Sequence, residues 1–282
     1  MGSSKNDLES DTDALGFKPS LIPIRPQDAV PGQDPEDEYY NMSHSNRGIA
    51  LIFNHQYFDS PFNKERKGTE FDRDAIQGVL KKIGFHVEVY EDYSREKIME
   101  TLQIVSKMDH TENDCLVVAV MSHGRTNGRI SAKDKEYTSG EMLEFFAGDK
   151  CPSLAGKPKL FFIQACRGDK TDPGVRIEKD SQNSEANRII YSIPAMADIL
   201  IMYATVEGYY AWRDPKSGGC FIQSLARKLE AHHANRDLLS ILTIVNREVA
   251  VGFESNHFYQ ELDKKKMMCS IVSMLTRLLR FD

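Results

Sequence analysis

The chain has 282 residues, 40% of them hydrophobic and 28% charged, with a formal net charge of −6. That balance suits one soluble α/β domain with a tail and lacks the basic face of a nucleic-acid binder; no apolar run could span a bilayer, and no secretory or myristoylation signal opens the chain. Five widely spread cysteines without a CxxC pair argue against a disulfide framework or zinc site, so no metal, cofactor, nucleic acid or membrane is expected, and the expected compartment is the cytoplasm.

Residues 1–40 hold Pro19, Pro23, Pro26, Pro31 and Pro35 among many acids, with too little apolar content for a core, and predict a mobile leader. From Gly48 the texture turns α/β. Gly48 to Phe53 reads as a buried strand. Asp72 to Ile83 is an amphipathic helix stopped by Gly84, and Val87 to Tyr90 a second strand. Ser94 suits the N-cap of a helix running to about Met108. The run from Cys115 to Met121 is a third strand, followed by a short helix from Glu141 to Phe146 and a strand beginning at Lys159. Residues from Arg167 to about Tyr191 have no period and form a long connector, which in a compact domain is commonly functional. Ile199 to Tyr203 is a strand, Phe221 to Ala231 and Asp237 to Val251 are helices, and Ile271 to Leu279 reads as a last strand. Near-continuous apolar strands alternating with helices predict a mostly parallel sheet covered on both faces.

Two of these strands end in reactive side chains. The Cys115 strand runs into Ser122, His123 and Gly124, and the Lys159 strand into Gln164, Ala165 and Cys166. Catalytic groups in open α/β sheets gather beyond the carboxyl ends of strands. His123 and Cys166 lie 43 residues apart, which leaves room for a crossover between parallel strands. A thiol and an imidazole so placed can form a nucleophile–base pair, and Gly124 lets its N–H approach a substrate oxygen. Taken singly, a strand-end cysteine is ordinarily a small buried hydrophobe and a histidine beside it structural; their joint placement points to chemistry. Cys115 reads as core, and Cys151, Cys220 and Cys269 as unreactive.

Gln164-Ala165-Cys166-Arg167-Gly168 resembles the caspase signature, with its histidine some tens of residues upstream. Met121 to Gly124, Gly208 to Arg213 and Ser273 to Thr276 resemble further caspase segments in the same order. The likeness runs from about Tyr39 onward and is greatest to effector caspases of the insect type. It implies the family's three-layer sandwich, with a mostly parallel six-stranded sheet and helices on both faces. It also implies a cysteine endopeptidase cutting proteins after aspartate, with Cys166 as nucleophile, His123 as base and acid, and the N–H groups of Gly124 and Cys166 as oxyanion donors. A backbone carbonyl assisting the histidine would belong to Lys64. The aspartate pocket would hold Arg66, Gln164 and Arg213, with Ser122 beside them, while Tyr210 and Trp212 would line a neighbouring apolar subsite. Asp214 and Cys220 stand where effector caspases commonly have asparagine and tryptophan, which weakens the expected preference for aspartate four residues before the cut.

The same resemblance implies an apoptotic zymogen. Cleavage after Asp180, within a linker spanning 168–192, would give a large subunit of 41–180 and a small one of 181–282. Asp13 or Asp11 would be the leader site, the former leaving a propeptide of residues 1–13. A short polar leader fits activation by an upstream initiator caspase. Caspase inhibitor proteins are implied partners, as is a homodimer of large–small pairs joined near Ile271 to Leu275. Two other readings compete: a caspase-like regulator that binds without cutting, and a redox protein with Cys166 as sensor. Neither accounts for the dyad together with both arginines.

Overall fold

The computed structural model describes residues 36–172, 195–256 and 258–282. Its eight strands are β1 (Asn46–Asn54), β2 (His86–Glu91), β3 (Asn113–Met121), β4 (Arg129–Ser131), β5 (Glu136–Thr138), β6 (Lys159–Gln164), β7 (Ile199–Tyr203) and β8 (Ser270–Ser273). The helices are α1 (Thr69–Ile83), α2 (Arg95–Ser106), α3 (Ser139–Glu144), α4 (Cys220–His232) and α5 (Leu238–Gly252). Six strands form one sheet in the order β2-β1-β3-β6-β7-β8, and β4 pairs with β5 in a separate hairpin. All pairings in the large sheet are parallel except β7 with β8.

Strand periodicity divides the core in two. Ala50, Ile52, Val117, Ala119, Leu160 and Phe162 face the layer containing α1, α4 and α5. Their sequence neighbours Leu51, Phe53, Val118, Val120, Phe161 and Ile163 face α2 and α3. Alternation to opposite faces is what a pleated strand imposes, and apolar residues on both faces demand helices on both. The Ser94 hydroxyl caps α2 by accepting the Lys97 N–H at 3.3 Å.

Three features differ from the sequence expectation. The last strand is only Ser270–Ser273, not Ile271 to Leu279, because Thr276 to Leu278 leave the sheet and meet the start of the fold. There Tyr40 N–H donates to the Leu278 carbonyl at 2.9 Å, and the Tyr40 hydroxyl and Thr276 both bond Asp198 at 2.6 Å. Tyr39 and Tyr40, read as the end of the leader, are therefore stitched to the body of the fold. The β4–β5 hairpin has no apolar run to announce it. Among the described residues, no helix is long and apolar enough to cross a membrane.

Candidate active site

The last register pair of β3 and β6 is Met121 with Gln164. Ser122 N–H continues the ladder to the Gln164 carbonyl at 3.1 Å, so His123 and Cys166 occupy matching positions just beyond the sheet. The two backbones touch there: a Cβ placed on Gly124 would lie 2.3 Å from the Cys166 carbonyl oxygen. Glycine is the residue this contact permits.

His123 is held from two sides. Its Nε2 lies 2.7 Å from the Lys64 carbonyl, and the Phe58 ring packs 4.9 Å from its own ring. A carbonyl only accepts, so Nε2 carries the proton and Nδ1 keeps its lone pair. Burial, followed by the charges of Arg66, Arg213 and Arg125, lowers the imidazole pKa despite the Lys64 bond. The Cys166 thiol donates to the Ala211 carbonyl at 3.7 Å and accepts the Ala211 N–H at 3.4 Å. Burial raises its pKa, while the Ala211 N–H, Arg66 and Arg213 oppose the rise. The resting pair is therefore a neutral thiol and a neutral imidazole.

Arg66 and Arg213 approach Cys166 from distant parts of the chain. Arg66 is 3% exposed and donates from Nη1 to the His55 carbonyl and to Thr69 Oγ1, each at 2.8 Å. Burial and the neighbouring Arg213 pull its pKa down to about 9, which leaves it charged at neutral pH. Arg213 is half-buried, and its Nη1 has no partner; neither does the buried Oε1 of Gln164. Asp72 feels the charge of both cations and was missed in the sequence, where it only opened a helix. It is fully buried, and both its oxygens accept the Gly219 N–H, at 2.8 and 2.9 Å. Gln223 is a second donor at 2.9 Å, yet burial lifts the Asp72 pKa to about 6.

The remaining candidates divide. Ser122 is buried and its hydroxyl donates to the Ser131 carbonyl, so its side chain is committed to the hairpin rather than to the pocket. Tyr210 and Trp212 pack at 5.9 Å between ring centroids, and Trp212 continues to Phe253 at 6.3 Å. Trp212, Arg213, Asp214 and Cys220 line a cavity of about 1220 Å³. Asp214 turns back on its own loop, accepting the Lys216 N–H at 2.9 Å and the Ser217 hydroxyl at 2.8 Å, which keeps its carboxyl low. Burial pushes the Cys220 thiol up to about 12. Asp11, Asp13 and Asp180 lie outside the described residues.

The family model described as "Caspase domain" matches residues 47–280. Caspase-1 of Drosophila melanogaster is 41% identical over 287 residues, covering 97% of this chain and 88% of that protein. Caspase drICE of Drosophila melanogaster is 45% identical over 245 residues, covering 86% of this chain and 72% of that one. The crystal structure of Caspase-1 from Spodoptera frugiperda superposes with a TM-score of 0.84 at 44% identity, covering 90% of this chain and 98% of that chain.

Proposed function

The chain belongs to the caspase family and is a cysteine-type peptidase, and from that premise we propose that it is an executioner zymogen acting in the cytoplasm during apoptosis. Its substrates are proteins cut after aspartate. One observation carries the assignment of the site: Arg66 and Arg213, from opposite halves of the chain, both impose their charge on Cys166 and on each other. Two like charges brought together beside a nucleophile call for an anion, and a guanidinium fork suits a carboxylate. The free Arg213 Nη1 and, with its amide turned, the Gln164 NH₂ supply donors.

In this reading Sγ leaves Ala211 and attacks the substrate carbonyl carbon. The π pair moves to oxygen, where the N–H groups of Gly124 and Cys166 receive it. His123 Nδ1 takes the thiol proton and passes it to the leaving amine as the C–N bond breaks. Water, deprotonated by His123, then attacks the thioester and releases Sγ.

Cleavage after Asp180 would separate a large piece, 41–180, carrying Arg66, His123 and Cys166, from a small one, 181–282, carrying Arg213. Asp13 or Asp11 would release the leader, an upstream initiator caspase would make the first cut, and caspase inhibitor proteins would occupy the same groove. Strand β8 borders the sheet and exposes Val272, so a second copy would pair there, since an open edge strand invites a partner. The cavity beside Arg213 would take the fourth residue before the cut. Its lining includes Trp212, Cys220 and Phe253, and Asp214, whose carboxyl is held low, would oppose an acidic side chain there against the pull of Arg213, Lys216 and Arg227.

Fluorogenic peptides test the reading. Active protein made from the full chain turns over peptides ending in aspartate, not in asparagine, with Ser181 as a new N-terminus; Cys166→Ala reduces turnover to background. Tight binding without turnover would instead leave a silent regulator, and a library dominated by aspartate at the fourth position would refute the cavity assignment.

A further inference from the structure

One carboxylate joins the two loops that present the oxyanion donors. Glu207 lies just past β7, on the opposite side of the connector from Cys166. Its Oε1 accepts the Asn127 N–H at 2.9 Å, and its Oε2 meets Arg167 Nη2 at 2.5 Å. Asn127 is the tip of the turn that follows Gly124 and adopts the left-handed conformation, φ 59°. Below that tip, Arg125 N–H bonds the Arg129 carbonyl at 2.9 Å and Gly124 pairs with Ile130. Fixing the tip therefore fixes Gly124. On the other loop, Arg167 follows Cys166 directly. Its N–H bonds the Tyr209 carbonyl at 3.0 Å and its carbonyl accepts the Gly208 N–H at 2.9 Å.

We propose that Glu207 is a positioning residue for the oxyanion hole, setting the gap between the N–H groups of Gly124 and Cys166 by clasping Asn127 and Arg167. This rests on reading those two N–H groups as the oxyanion donors. The Glu207 side chain is 46% exposed, and an exposed ion pair adds little to stability. Its consequence is geometric, because such donors must stand about 2.7–3.1 Å from where negative charge will develop.

The test uses active enzyme made from the full chain carrying Glu207→Ala or Glu207→Gln; the glutamine keeps an acceptor for Asn127 and loses the charge facing Arg167. Glu207→Ala should lower kcat roughly tenfold or more and Glu207→Gln by less, with KM within about twofold, since small misplacements of catalytic groups act on rate. A peptide ending in aspartyl aldehyde forms a C–S bond to Cys166 as the thiol proton passes to His123 Nδ1 and the carbonyl π pair moves to oxygen, so its affinity should fall by the same factor as kcat/KM. The matching peptide ending in aspartic acid should bind unchanged. Unchanged kcat in both variants, or equal losses for aldehyde and acid, would overturn the proposal. Should Glu207→Ala fail to fold, Glu207→Gln decides alone. Retained turnover in Cys166→Ala would overturn the nucleophile reading instead, so the two failures are distinguishable.

Discussion

Arg66 and Arg213 both bear on Cys166 but come from regions built on different principles. Arg66 belongs to the segment joining β1 to α1, where its guanidinium donates to the His55 carbonyl and to Thr69, whose hydroxyl donates in turn to Asn54. Arg213 belongs to residues 206–219, a half-exposed stretch without strand or helix that rests on contacts between loops. Arg66 Nη1 already has two partners in the first region, whereas Arg213 Nη1 in the second is buried without one. One guanidinium is thus tied into the scaffold, and the other keeps a donor to spare.

The contrast breaks most visibly on the arginines themselves. Replacing either with alanine should lower kcat/KM for aspartate-ending peptides by about 10²–10³-fold, the scale of losing one partner of a desolvated charge pair. Only Arg66→Ala should also lower the thermal midpoint, by several degrees, because it strips donors from buried acceptors at a cost of about 1–3 kcal/mol. Equal midpoints by calorimetry would erase the distinction. Gly124→Ala probes the scaffold at the dyad. Its new Cβ meets the Cys166 carbonyl, and kcat should fall by about 10²-fold with less effect on KM. Unaltered kcat would mean that the two strand tips can part freely.

The smallest effect sharpens the comparison where the regions meet, at Asp72. Its folded pKa of about 6 lies above the ordinary 3.8, so between those values the native state binds the extra proton. Folding stability contributed by Asp72 is therefore greatest at low pH and declines as pH rises from about 4 to 6. Asp72→Asn should lose that slope in denaturant titrations across the window. An unchanged slope would assign it to another group.

The sequence showed the parts that depend on neighbours along the chain. Continuous apolar runs with no polar face announced β3 and β6, and the residues just past them announced His123 and Cys166. The helix cap at Ser94 was equally local. What required distant partners stayed hidden. Asp72 resembles any acid in a first helical turn until Gly219, 147 residues away, donates to it. Leu279 looks like a strand residue, yet it enters the core from a segment diverted by Tyr40 and Thr276. Ser122 was assigned to substrate from its place beside His123, although its hydroxyl serves a hairpin that no apolar pattern foretold.

Strands β6 and β7 lie on either side of the connector in sequence but are immediate neighbours in the sheet, matched over five register pairs from Lys159 with Ile199 to Ile163 with Tyr203. The chain is also pinned on both sides of residues 173–194: Lys266 N–H bonds the Asp172 carbonyl at 2.9 Å, and Gly148 N–H bonds that of Ala195 at 2.7 Å. Hydrolysis between these anchors would open a ring without dismantling the particle. A nicked molecule should run as two bands in detergent and sediment as one species in buffer. Proteolysis there would leave β6 and β7 paired, so the two pieces would never need to find each other again.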